Sequence, residues 1–325
     1  MKALVTGGAG FIGSHLVDGL LADGWEVVAL DNLSIGARAN LAHLADERRF
    51  RLVVGDVCDE KLVARLLDGC DVVFHLAALV GVKYVVENPL LGMRTNVRGT
   101  ESVLAAAHAR GARVCLASSS EVYGNSLAVP FVEDGPRVLG PTWFPRWSYA
   151  TAKALDEHLC FAYRDLGLAV SIVRYFNTYG PRLDPAGNGS VVARFIMQAL
   201  AGEPLTIHGD GQQSRSFTHV SDAVRGTILA ATEPAGLGEV FNLGTQQETT
   251  IEQLAREIIA LTDSQSPLSY VPYTVAYGPD FVDPRRRAPD ISKARRLLGY
   301  EPKVSLQEGL VQTIAWFRHR PEIVG

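Results

Sequence analysis

The sequence predicts an α/β protein, a doubly wound parallel sheet carrying a smaller C-terminal α+β lobe. Three observations lead there. A short apolar strand, Lys2–Val5, runs straight into a glycine-punctuated turn, Gly7-Gly8-Ala9-Gly10-Phe11-Ile12-Gly13. Apolar strand patterns then alternate with helical ones as far as Arg174, the mark of strand–helix–strand units and parallel pairing. Beyond Arg174 that alternation lapses. Residues 1–174 therefore read as the sheet domain and 175–325 as mainly a second, ligand-binding lobe, with no long flexible stretch between them.

In chain order, the glycines at 7, 10 and 13 tighten the first turn, let a backbone approach a pyrophosphate, and let the helix Ser14–Ala22 pack on its strand. The helix N-terminus then faces phosphate, as in a Rossmann-like dinucleotide site, with Phe11 and Ile12 beside the glycines. Strand Glu26–Leu30 ends at Asp31. A carboxylate there accepts hydrogen bonds from an adenosine ribose and repels a 2′-phosphate, so NAD is expected over NADP; a turn-forming Asp is the plainer alternative. Strand Arg51–Val54 leads to Gly55-Asp56-Val57, where an adenine edge fits. Strand Asp71–Leu76 runs into Ala77-Ala78, small enough for a nicotinamide ring or ribose to lie against backbone. Asn96 opens a helix through Ala109. Strand Arg113–Ala117 ends in Ser118-Ser119-Ser120-Glu121-Val122-Tyr123-Gly124, and helix Tyr149–Leu166 precedes strand Val170–Arg174. The glycine turn, Asp31, Ala77, Ser119 and the Tyr149 helix all fall at the carboxyl edge of the sheet, where such folds bind ligands.

The second lobe reads as helix Val191–Ala201, strand Leu205–His208, strand Val240–Leu243, and a helix whose apolar face is Ile251, Leu254, Ile258 and Leu261. Helices Ile291–Leu298 and Leu306–Arg318 close it. Asp184–Ser190 reads as a polar loop, Gly209–Arg215 as a loop with an exposed cation, and Pro267–Pro289 as irregular, with Arg285, Arg286 and Arg287 together.

Chemistry is suggested by Tyr149 and Lys153. Four residues apart, they share one helix face. A phenol is a poor base near neutrality, with an ordinary pKa of roughly 10; an ammonium one turn away, and a second cation close by, favour the phenolate. A lone tyrosine–lysine pair is most often surface decoration. Here it coincides with a dinucleotide turn.

Composition bounds the alternatives. At 325 residues, 47% hydrophobic and 20% charged, the chain suits a globular enzyme. A net charge of −4 gives no reason to expect nucleic acid or an anionic membrane as partner. The first strand begins at once, leaving no signal peptide, and no window approaches the ~18 apolar residues of a membrane span; a cytoplasmic protein is expected. Cys58, Cys70, Cys115 and Cys160 have no metal or disulfide spacing, and the eight histidines form no metal motif.

These residues resemble the extended short-chain dehydrogenase/reductase family, specifically its nucleotide-sugar epimerases, dehydratases and decarboxylases. The match keeps its order from Gly7–Gly13 through Asp31, Ala77-Ala78, Asn96, Ser118–Gly124, Tyr149 with Lys153 and Asn177 to Arg215 and Arg287–Ile291. The resemblance implies NAD as cofactor, held by Gly7, Gly10, Phe11, Ile12, Gly13, Asp31, Asn32, Asp56, Val57, Leu76, Ala77, Ala78, Asn96, Tyr149 and Lys153. It implies Tyr149 as base, Lys153 on the nicotinamide ribose, and Ser119, with Ser120 beside it, on the sugar hydroxyl. Asn177 and Arg215 would meet the nucleotide diphosphate. A homodimer through the helices at 96–109 and 149–166 is the family expectation.

In such enzymes a sugar C4 hydroxyl is oxidised, and the fate of the 4-ketone separates the activities. Glu121 in Ser-Glu-Val-Tyr-Gly looks like the UDP-glucuronate decarboxylases and some 4,6-dehydratases, as a candidate acid or base. Val138-Leu139-Gly140-Pro141 and Pro145-Arg146-Trp147 also resemble the decarboxylases. Arg287 matches their carboxylate-binding arginine, a role suited to a bidentate guanidinium. UDP-glucuronate decarboxylation is the leading expectation. A UDP-sugar 4-epimerase, a 4,6-dehydratase and a non-catalytic NAD-binding protein stay open, because Glu121 can equally be a local ion pair and Arg287 a diphosphate contact.

Overall fold

The computed structural model describes residues 1–81, 88–184, 190–278 and 283–319. Its centre is a seven-stranded sheet. Six strands come from the first half: β1 (Lys2–Thr6), β2 (Glu26–Asp31), β3 (Phe50–Val54), β4 (Val72–His75), β5 (Arg113–Ser119) and β6 (Val170–Tyr175). The spatial order is Val240–Leu243, β6, β5, β4, β1, β2, β3, and every pairing is parallel. Strand order reverses between β1 and β4, which is where an open sheet of this kind leaves a crevice.

The strands are apolar on both faces because helices cover both. Along β1, Ala3 and Val5 face one core with Leu16, Val17 and Leu20 of helix α1 (Phe11–Ala22) and Val220 and Val224 of the Val220–Thr232 helix. Leu4 points the other way, into a core with Val103, Leu104 and Ala107 of the Pro89–Arg110 helix and Cys160 of the Ser148–Asp165 helix. The period-2 alternation of a strand thus feeds two hydrophobic layers.

The seventh strand crosses the division drawn at residue 174. Val240–Leu243 pairs with β6 in parallel, Val240 opposite Ile172, so the second half of the chain completes the first half's sheet. The remaining lobe has its own core, Phe195 and Ile196 against Leu254, Ile258, Leu310 and Phe317.

Three local readings need correction. The helix expected to open at Asn96 begins at Pro89; proline suits a first helical turn, and Gly92 obscured the pattern. Arg215 is not an exposed cation in a loop. It sits on strand Ser214–Ser216, is buried, and pairs with Asp283 at 2.7 Å. Pro267–Pro289 is not irregular throughout: Leu268–Val271 pairs with Leu205–His208, Tyr273–Tyr277 is helical, and Arg286–Arg287 pairs with Ser214–Arg215. Residues 279–282 of that stretch, and 185–189 of the expected polar loop, lie outside the described residues. Among the described residues no helix is long and apolar enough to cross a membrane, and no group of three or more His, Cys, Asp or Glu is placed to hold a metal.

Candidate active site

The ends of β1, β2, β4 and β5 and the segment after β6 open into one cleft with a cavity volume of about 520 Å³, within the range of small-molecule sites. At its head, Gly7 has φ +70°, and its N–H donates to the Leu30 carbonyl at 2.8 Å. A Cβ at Gly13 would run into the Gly7 carbonyl oxygen, so only glycine lets α1 pack this close to the turn. Gly10 caps α1 with no side-chain hydrogen bond, which leaves first-turn N–H groups facing the cleft, a ready anion site. Asp31 is held at the end of β2, its two oxygens accepting from the N–H groups of Ala9 at 2.9 Å and Leu33 at 2.8 Å. Asn32, Asp56, Val57, Leu76, Ala77 and Ala78 line the same side. A cradle that a Cβ would fill, a fixed carboxylate and a wall of small residues fit a dinucleotide carrying a free ribose diol.

Asn96 does not line this cleft. Buried inside its helix, it accepts from the Leu79 N–H at 2.8 Å and donates to the Leu79 carbonyl at 3.4 Å. Its part is to hold the chain leaving β4, which does line the cleft.

Across the cleft, Ser148–Asp165 presents Tyr149 and Lys153 one turn apart. Ser119 ends β5, and its hydroxyl hydrogen-bonds the Tyr149 phenol. Burial raises the pKa of Tyr149, the charge of Glu121 adds to this, and the Ser119 hydrogen bond opposes it. Lys153, only 2% exposed, lies 3.4 Å from Asp156. The phenolate thus needs more positive charge than this chain alone brings to it.

Glu121 is not placed as an acid. Burial alone would push its carboxyl up, but the charges and hydrogen bonds of Arg287 and Arg146 outweigh that and hold it well below the usual carboxylate range. Each arginine approaches it to 2.6 Å, and all three line the cleft with Ser119, Ser120 and Tyr149. Two guanidiniums against one carboxylate leave one net positive charge here. The arginine triplet divides by partner, with only Arg286 and Arg287 on the strand. Arg285 and Arg286 pair outward with Asp210 and Glu248, while Arg287 turns in. Arg287 Nε has no hydrogen-bond partner. Arg215, opposite Arg287 on the adjacent strand, stands behind the cleft rather than in its wall. Asn177, at φ +34°, lines the cleft and donates to the Ser216 carbonyl at 3.2 Å. Arg146 was visible only through its resemblance-bearing neighbours; its pairing with Glu121 is a contact of the fold.

Residues 4–313 match the model of the GDP-mannose 4,6 dehydratase family. The chain belongs to this family, within the extended short-chain dehydrogenases/reductases. It is 42% identical over 317 residues to a UDP-N-acetyl-α-D-glucosaminuronate decarboxylase of Bacillus cytotoxicus, covering 98% of each chain. To UDP-glucuronic acid decarboxylase 1 of Xenopus tropicalis it is 41% identical, covering 99% of this chain and 73% of the other. Among solved structures, UDP-glucuronic acid 4-epimerase of Bacillus cereus, in complex with UDP-glucuronic acid and NAD, superposes with a TM-score of 0.88. That pair is 32% identical, over 98% of this chain and 99% of the other. The family and sheet topology agree with the sequence reading.

Proposed function

We propose that this protein is an NAD-dependent decarboxylase of UDP-hexuronates, with UDP-glucuronate as the leading substrate. The observation that carries this reading is the Arg146–Glu121–Arg287 cluster, buried next to the Ser119–Tyr149 pair with one net positive charge. A sugar whose C4 hydroxyl meets Tyr149 would bring a C6 carboxylate to that charge, and a guanidinium suits a carboxylate. The decarboxylase relatives point the same way. Bound NAD supplies hydride acceptance and return at the sugar C4. Ser119 orients the C4 hydroxyl, and Tyr149 takes its proton. Arg287 and Arg146 hold the carboxylate until the C5–C6 bond breaks and it leaves as CO₂; the electron pair passes into the neighbouring 4-ketone as an enolate, and C5 then takes a proton from water before the hydride returns to C4. Glu121, fixed in its ionised form, keeps both guanidiniums in register. Asp31 selects NAD over NADP, Asn177 serves the diphosphate end, and Arg215, paired with Asp283, supports the strand that carries Arg287.

A 4-epimerase is the second reading, favoured by the UDP-glucuronic acid 4-epimerase neighbour, which accommodates the same carboxylate. Incubation with UDP-glucuronate, UDP-N-acetylglucosaminuronate and UDP-glucose, followed by product mass, tests the choice. Loss of CO₂ from either uronate supports decarboxylation; conversion at unchanged mass overturns it in favour of epimerisation. We read the protein further as a homodimer through the Pro89–Arg110 and Ser148–Asp165 helices, which leave Leu90, Leu91, Met93 and Leu155 exposed. Four free thiols suit a reducing compartment such as the cytoplasm.

A further inference from the structure

Lys153 has a neighbour that the proposed reaction leaves unused. Asp156 is fully buried, with an oxygen 3.4 Å from Lys153 Nζ. Burial pushes its carboxyl up while Lys153 pulls it back.

A line of hydrogen bonds runs inward from the cleft wall as far as Thr100. The Ala77 N–H donates to Thr6 Oγ1 at 3.2 Å. Thr6 Oγ1 lies 2.7 Å from His75 Nδ1, and His75 Nε2 lies 3.1 Å from Thr100 Oγ1. The line stops at Thr100, and neither carboxylate oxygen of Asp156 has a hydrogen-bond partner. Thr6, His75, Thr100 and Asp156 are each at most 1% exposed.

One proton assignment serves the line as far as Thr100. Thr6 accepts from Ala77, so its own proton goes to His75 Nδ1. His75 is neutral, lowered to about 3 by burial and by the charge of Lys153, and therefore donates from Nε2 to Thr100. With no hydrogen bond to hold its carboxylate, Asp156 is matched by charge alone, so it and Lys153 fix each other's place.

The other charged groups nearby are already matched. Glu157, on the same helix, is held by Arg174 at 2.6 Å, and Glu121, from the turn after β5, by two arginines. Cys160, one turn beyond Asp156, is kept as a thiol by burial and by the charges of Asp156 and Glu157. His75, from β4, is neutral. Asp156 is thus the carboxylate that faces Lys153.

We propose that Asp156 is a positioning residue, which anchors the Lys153 ammonium at the cleft floor and, as its buried counter-charge, sets the pH range in which Tyr149 works as a base. This rests on the roles given above to Tyr149 and Lys153. The sign follows from charge. Asp156→Asn keeps the shape and removes a negative charge, so the phenolate forms more readily and the Tyr149 midpoint falls, by about one pH unit.

The test needs no sugar substrate. Ultraviolet difference absorbance of the phenolate, each protein minus its Tyr149→Phe counterpart, is followed against pH in the NAD-saturated protein. The midpoint is expected to fall in Asp156→Asn. It should fall in the same direction in Asp156→Ser, a smaller neutral side chain that carries the test if Asp156→Asn does not fold, and stay near the wild-type value in Asp156→Glu, which keeps the charge. Midpoints that stay put while Tm drops, or that rise, overturn the inference and leave Asp156 a packing residue. A protein that takes up no NAD overturns the cofactor reading and this inference with it. A shifted titration without sugar turnover upholds this inference and overturns the reaction.

Discussion

Replacing Arg287 with alanine removes one of the two guanidiniums beside the Ser119–Tyr149 pair and cancels the net positive charge of the cluster. Arg287 is 6% exposed and lies 2.6 Å from Glu121, so a substrate carboxylate reaching it would be largely out of water. At about 4 Å and an effective dielectric of about 20, one charge pair is worth about 4 kcal/mol. Truncating one side of a buried, hydrogen-bonded pair at an interface typically costs about 2–5 kcal/mol, which includes the penalty on the charge left behind. The Kd for UDP-glucuronate should therefore rise between about 30-fold and a few thousand-fold. UDP-glucose and UDP carry no carboxylate at C6 and should weaken far less. Competition titrations of NAD-loaded wild type and Arg287→Ala with the three ligands measure the difference. Arg146 still neutralises Glu121 in the variant, and a thermal melt separates lost recognition from lost folding. Equal weakening of all three ligands would refute the carboxylate assignment and leave Arg287 as a diphosphate contact.

Two further outcomes follow from the site. Tyr149→Phe keeps the ring and loses the proton acceptor, so turnover should fall by about 10²–10⁴ with ligand binding retained; steady-state rates and titration of the sugar nucleotide check both halves. Asp31→Ala removes the carboxylate that a 2′-phosphate would meet, so the ratio of NADP to NAD affinity should rise; an unchanged ratio would mean that another group selects the cofactor.

What the sequence revealed was local. The glycine turn, Asp31, Ala77 and the Tyr149–Lys153 pair depend on spacing within one strand–turn–helix or one helical turn, and all of them line the cleft. Contacts between distant segments were hidden. Glu121 and Arg287 lie 166 residues apart, and neither motif shows that the carboxylate is held ionised by two arginines. Asn96 was matched as a cofactor residue, yet its amide serves the Leu79 backbone, because the helix starts at Pro89 and turns that side chain inward. Arg215 read as exposed because a polar loop precedes it; the partner that buries it, Asp283, comes from a strand pairing that sequence periodicity does not encode. Asp156 drew no notice, since a carboxylate beside Glu157 reads as solvated helix surface until the fold buries it.

The account stands or falls on the fate of one carbon. UDP-glucuronate labelled with ¹³C at C6, incubated with the NAD-loaded protein, should release labelled CO₂ in step with substrate consumption, and no NADH should accumulate, because the hydride returns to the sugar. Label retained in a sugar nucleotide of unchanged mass would contradict the decarboxylase and make the protein a 4-epimerase.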